Sequence, residues 1–148
     1  MKQTKSFTVI EILIVVSIVT ILATLGFSTY SSVQKKARDA RRTSDLEIIR
    51  AGIEQYRSNN NDYPTALPYP AVAGNEGLCD PTGCTDGVYL GKIPTDPVGT
   101  QRYVYQRNNS SDYTLCARVT TGTSSFGDCS SGGTGLVCNY CMGPYGQK

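Results

Sequence analysis

Phe7-Thr-Val-Ile-Glu-Ile-Leu-Ile-Val-Val-Ser-Ile-Val-Thr-Ile-Leu-Ala-Thr-Leu25 is apolar almost throughout and carries one charge, Glu11. A bilayer core of about 30 Å takes about 20 residues of helix at 1.5 Å each, so this stretch has the length of a membrane span. It is a poor secretory signal peptide, because the apolar run is too long and no small-x-small cleavage site follows it. A plain signal anchor accounts for every residue except Glu11. A charge at membrane depth costs about 2.5–3.5 kcal/mol on insertion scales and is rarely left without a partner. An anchor has no use for it, whereas a subunit that must find another subunit in the membrane does. Lys2 and Lys5 precede the run and favour a cytoplasmic N-terminus, while Lys35, Lys36, Arg38, Arg41 and Arg42 beyond it pull the other way. Charge asymmetry alone does not set the orientation.

Beyond Gln34 the helical pattern continues and turns amphipathic. Leu46, Ile49, Ile53 and Tyr56 recur at three- and four-residue steps, a stripe suited to packing on a globular domain. Val33, Ala37 and Ala40 extend its small apolar side, and Lys35, Arg38, Asp39, Arg42, Asp45, Glu47 and Arg50 read as the solvated faces. An unbroken helix from Phe7 to Ser58 would be about 80 Å long. Gly26 is where it would loosen, and Asn59-Asn60-Asn61-Asp62 before Pro64 would end it. Downstream, Tyr103-Val-Tyr105 and Tyr113-Thr-Leu-Cys-Ala-Arg-Val119 are β-rich runs separated by Asn108-Asn109-Ser110-Ser111-Asp112, a hairpin pattern. Pro94 and Pro97 fix a loop in which Asp96 is expected to accept hydrogen bonds from nearby amides.

Composition excludes more than it assigns. The 148 residues suit one modest domain plus an extra element, and a formal charge of +2 gives no reason to expect nucleic acid. There is no histidine, so neither a Ser-His nor a Cys-His nucleophile pair can be built. The six cysteines, Cys79, Cys84, Cys116, Cys129, Cys138 and Cys141, all lie in the C-terminal half. An even number in a loop-rich segment reads as a disulfide framework from an oxidising compartment, with the connectivity open. Cys79-x4-Cys84 with Cys138-x2-Cys141 also has the form of a four-thiolate zinc site, and Cys138-Asn-Tyr-Cys141 has the spacing of a thiol-exchange motif. Disulfides are the preferred reading, and no metal is assigned. The Gly/Ser-rich tail from Thr120 has little apolar surface to bury, so cross-links are its expected source of order.

Lys5-Ser-Phe-Thr-Val-Ile-Glu-Ile-Leu13 resembles the type IV prepilin signature, a short basic leader followed by Phe-Thr-Leu-Ile-Glu-Leu. The resemblance implies that a prepilin peptidase cuts between Ser6 and Phe7 on the cytoplasmic face and N-methylates Phe7. It also implies that the Glu11 carboxylate pairs with the Phe7 amine of a neighbouring subunit. Two opposite buried charges would satisfy each other and set the register of assembly. Ser6 stands where the family usually has Gly. Removing Lys2 and Lys5 leaves twelve basic side chains against twelve acidic, a formally neutral chain suited to close packing of copies. Asn60-Asn-Asp-Tyr-Pro-Thr65 and Tyr89-Leu-Gly-Lys-Ile-Pro-Thr-Asp-Pro-Val-Gly-Thr-Gln-Arg-Tyr-Val-Tyr105 are similar to motifs of major pseudopilins and related pilins. Those pseudopilins hold calcium in a C-terminal loop. This chain offers only Asp112 and Asp128 after Asp96, few carboxylates for a typical site, so no cofactor is assigned and calcium is kept as the alternative.

The expected fold is therefore α+β, the type IV pilin fold. A long N-terminal helix, membrane-spanning in its first half and amphipathic in its second, packs on a small antiparallel sheet, followed by a disulfide-rich tail. The expected parts are a leader over 1–6, a transmembrane and filament-core helix over 7–30, its amphipathic continuation over 31–59 and a globular head over 60–148. The expected function is a structural, non-enzymatic subunit of a type IV pilus-like filament. Its partners would be copies of itself, other pilins, the prepilin peptidase, an inner-membrane assembly platform and, before assembly, the membrane. The precursor would be single-pass with its head outside the cytoplasm, and the product an extracellular pilus. The alternatives are a periplasmic pseudopilus of type II secretion, or a signal-anchored, disulfide-rich binding domain that never polymerises.

Overall fold

A computed structural model describes residues 7–68, 77–81, 83–123, 125–130 and 135–148, leaving aside the side chains at 25–29, 83, 85 and 86. One helix, α1 (Val9–Asn60), is followed by eight strands: β1 (Leu78–Asp80), β2 (Gly83–Leu90), β3 (Val104–Asn109), β4 (Asp112–Ala117), β5 (Phe126–Asp128), β6 (Val137–Cys138), β7 (Tyr140–Gly143) and β8 (Gly146–Gln147). The chain divides into two compact units, one ending at Ala37 and one from Arg38 to Lys148.

α1 starts where Thr8 accepts the first intrahelical bonds on its carbonyl, from the amides of Glu11 and Ile12. It runs through Gly26, the position expected to loosen it. It stops at Asn60, and Asn61 takes a left-handed conformation with φ of 55°. Asparagine is among the few residues that tolerate this conformation, which is how a helix commonly ends. The Asn-rich step before Pro64 thus terminates the helix as its sequence predicts.

In the second unit the predicted stripe becomes the core. Leu46, Ile49 and Ile53 are fully buried against Tyr63, Leu67, Leu78, Tyr89, Ile93, Tyr103, Tyr113, Leu115, Ala117 and Met142, with Tyr56 partly buried beside them. Gly52 lets the helix come close to β2, since a Cβ there would lie 3.2 Å from the Leu90 Cβ.

The main sheet has four antiparallel strands in the order β3-β4-β7-β8. The β3–β4 hairpin closes with Asn109 opposite Asp112, within the predicted turn. Sequence reading left β1, β2 and every tail strand unassigned. β1 pairs with β2 and β5 with β6, as two further antiparallel pairs. The tail is also less peripheral than its composition suggests, because β7 aligns beside β4 and Met142 joins the core. Its strands are too short to show a period-two pattern, and they are ordered by pairing and by cystines.

Candidate assembly site

The first unit presents the N-terminal signature as a helix with apolar side chains on every side. Phe7, Val9, Ile10, Ile12, Leu13, Ile14, Val15, Val16, Ile18, Val19, Ile21 and Leu22 are all more than half exposed. A helix that is apolar all round belongs in a protein interior or in lipid. Three hydroxyls along it are bonded within the helix. Ser17 donates to the Leu13 carbonyl at 2.7 Å, Thr24 to that of Ile21 at 2.8 Å, and Thr20 to that of Val16. These three hydroxyls need no water, which suits an apolar surrounding.

Glu11 lies in the first turn of α1. Its amide is 3.4 Å from the Thr8 hydroxyl as well as bonded to the Thr8 carbonyl. Thr8-x-x-Glu11 has the spacing of a capping box, a signal that the sequence itself contains. The carboxylate is exposed and has no ion-pair partner among the described residues. Phe7 is exposed two residues ahead of the helix. Ser6 and the rest of the predicted leader lie outside the described residues. Among the described residues, no helix is long and apolar enough to cross a membrane. The side chains at 25–29, which continue the apolar run, are not among them.

The second unit corrects the reading of the polar faces of α1. Arg42 and Asp45 do not belong to a solvated surface, for both are buried. Arg42 grips Asp96 through two bonds, Nε to Oδ2 at 2.7 Å and Nη2 to Oδ1 at 3.1 Å, and reaches Asp39 at 2.9 Å. Asp96 also accepts the Val98 amide at 2.7 Å, the local bond its loop predicts. Burial opposes the Arg42 charge, but Asp96 and Asp39 outweigh it and raise its pKa. Burial likewise pushes the Asp39 carboxyl up, yet bonds from Thr120 and Arg42 outweigh it and hold it below the usual value.

Further along, Asp45 accepts the Tyr103 hydroxyl at 2.7 Å. Burial, followed by that bond, drives the Tyr103 phenol far up, so it remains a donor. Glu54 accepts from Tyr113 at 3.1 Å and from Tyr63 at 3.2 Å. These ties fasten the helix to the sheet and are structural in character. Sequence spacing did not reveal them, because each partner is more than forty residues away or across a turn.

The cysteines pair as Cys79–Cys84, Cys116–Cys141 and Cys129–Cys138, with none free. Both rival readings of the cysteines fall with this result. The sulfurs of a four-thiolate site are spent in cystines, and Cys138 and Cys141 bond to different partners. Among the described residues, no group of three or more Cys, Asp or Glu is placed to hold a metal ion.

Comparison with known proteins bears on the same elements. The family model described as type II secretion system (T2SS), protein G, matches residues 29–125. The chain belongs to that family. Core protein G of the type II secretion system from Pseudomonas aeruginosa is 32% identical over 100 residues, covering 66% of this chain and 70% of that one. The Aeromonas hydrophila core protein G is 30% identical over 100 residues, again 66% and 70%. The Escherichia coli K12 protein of the same name is 25% identical over 121 residues, 75% and 78%. No solved structure matches. The protein G match favours the secretion-system alternative over the surface pilus that the sequence reading placed first. It spans the amphipathic helix and the β1–β4 region, and it stops short of Cys129, Cys138 and Cys141.

Proposed function

We propose that this chain is a structural subunit of the pseudopilus of a type II secretion system. Membership of the protein G family is the observation that carries the reading. The start of α1 supports it, because so much exposed apolar surface must be covered by lipid or by like helices. In this reading the precursor sits in the inner membrane with its head in the periplasm. The prepilin peptidase removes residues 1–6 and methylates Phe7. The assembly platform then transfers the helix from lipid into the filament, among copies of the chain and related pseudopilins. Glu11 is the register residue, neutralised by the Phe7 amine of a neighbour. Without that partner its burial would be prohibitive. No residue is catalytic, and the work of the chain is to assemble.

The deciding measurement is the mass of the intact chain and of its N-terminal peptide from membrane, periplasmic and sheared surface fractions. A mature species beginning at methylated Phe7 and retained in the cell envelope is expected. The same species mainly in the sheared fraction would make it a surface pilin. A chain still beginning at Met1 and held in the membrane would overturn assembly and leave a signal-anchored binding domain.

A further inference from the structure

The three cystines differ in how solvent reaches them. Cys116, Cys129 and Cys138 are fully buried and Cys141 is 3% exposed, forming one closed cluster with Val104 and Phe126 packed on it. Cys84, in contrast, is exposed and Cys79 is half-buried. Cys79–Cys84 joins β1 to the start of β2 across a sequence separation of only 5, at the end of the ladder where Asp80 faces Gly83. Both cysteines line an open cavity of about 540 Å³ together with Tyr56, Pro64, Asp80 and Pro81. A reagent can approach this bond without opening the core, which is the access that thiol exchange requires.

We propose that Cys79–Cys84 is a thiol-exchange site, reduced by a protein dithiol and re-formed by the disulfide form of such a protein, while the other two cystines stay closed. A thiolate of the incoming dithiol attacks Sγ of Cys84, the more exposed residue of the pair. The Cys79–Cys84 bond breaks, a mixed disulfide forms at Cys84, and Cys79 leaves as a thiolate that takes a proton from water. The second thiolate of the dithiol attacks its own sulfur in the mixed disulfide and releases Cys84. Two electrons pass to this chain, and the dithiol becomes a disulfide.

Reduction leaves the fold standing. The hairpin retains its Leu78–Leu90 and Cys79–Val88 pairings. The Tyr89 hydroxyl still donates to Asp80 at 3.0 Å and accepts from Asn60 at 3.2 Å. So short a loop also adds the least chain-entropy stabilisation of the three, so opening it costs the fold least.

The test uses the full chain in detergent, without denaturant. Dithiothreitol is added, free thiols are alkylated over time, and the labelled cysteines are identified by peptide mass. Cys79 and Cys84 should label at least about tenfold faster than the other four, with unchanged far-UV circular dichroism. Simultaneous labelling of all six, or earlier labelling of Cys116 or Cys141, would overturn the proposal. In a C79S/C84S variant the remaining four should label at the same slow rate, and acceleration would show that the cystines act as one unit. A thioredoxin-type protein lacking its second cysteine should be trapped on Cys84. Trapping on any other cysteine, or on none, would refute exchange at this site.

Discussion

The two parts of α1 share a backbone and solve opposite problems. From Val9 to Leu22 the large apolar side chains point in all directions and are exposed. From Arg38 onward the helix is sided, with Leu46, Ile49 and Ile53 at zero exposure. In the second part, burial within the same chain stabilises the helix and fixes its face. In the first part, Ser17, Thr20 and Thr24 bond within the helix but the apolar surface stays exposed. Helix formation therefore says little about where a segment belongs. The distribution of apolar residues around the axis does, because it determines whether one face or the whole cylinder must leave water.

The sharpest break between the two parts should come from Glu11→Ala. Filament formation is expected to be lost while membrane insertion persists, as read by electron microscopy of envelopes alongside membrane fractionation. Filaments at wild-type yield would remove the register role of Glu11. Next in size is a matched pair of truncations. Leu46→Ala should cost the globular unit about 2–5 kcal/mol, the usual loss for a buried large-to-small change. Ile14→Ala should leave its denaturation midpoint unmoved and weaken assembly alone. Equal midpoint shifts in the two variants would contradict the division.

Of similar scale, Asp96→Ala should cost about 3–5 kcal/mol by leaving Arg42 buried without its main partner, measured by denaturant unfolding of the full chain in detergent. A loss near that of an exposed pair, below about 1 kcal/mol, would mean that solvent reaches Arg42. The smallest effect concerns acid. Asp112 is held below its usual pKa by Lys148, which lies 2.6 Å away, with help from Asn108. A depressed carboxyl stabilises the fold above the ordinary carboxylate pKa and loses that contribution as pH falls through the folded value. The melting temperature should therefore drop on going from about pH 5 to about pH 3. Asp112→Asn should flatten the drop slightly.

The local features could be read from the residues themselves. The helix and its Asn-rich end, the buried stripe, the β3–β4 hairpin and the oxidised state of the cysteines each depend on neighbours in sequence or on composition. Arg42 and Asp45 went astray because a charged residue on a helix looks solvated until its distant partner, Asp96 or Tyr103, is known. The β7 strand stayed hidden because four residues holding Tyr140, Cys141 and a glycine show no alternation of their own.

The sequence by itself determined that this chain has an apolar helix with one acid at its start, an amphipathic continuation and a cross-linked head. Those properties follow from periodicity, from the cost of exposed apolar surface and from the chemistry of thiols. Only the tertiary structure decided which charges are buried, which cysteines pair and which cystine faces water. Each of these depends on residues brought together across the fold, where chain separation carries no information and geometry alone selects the partner.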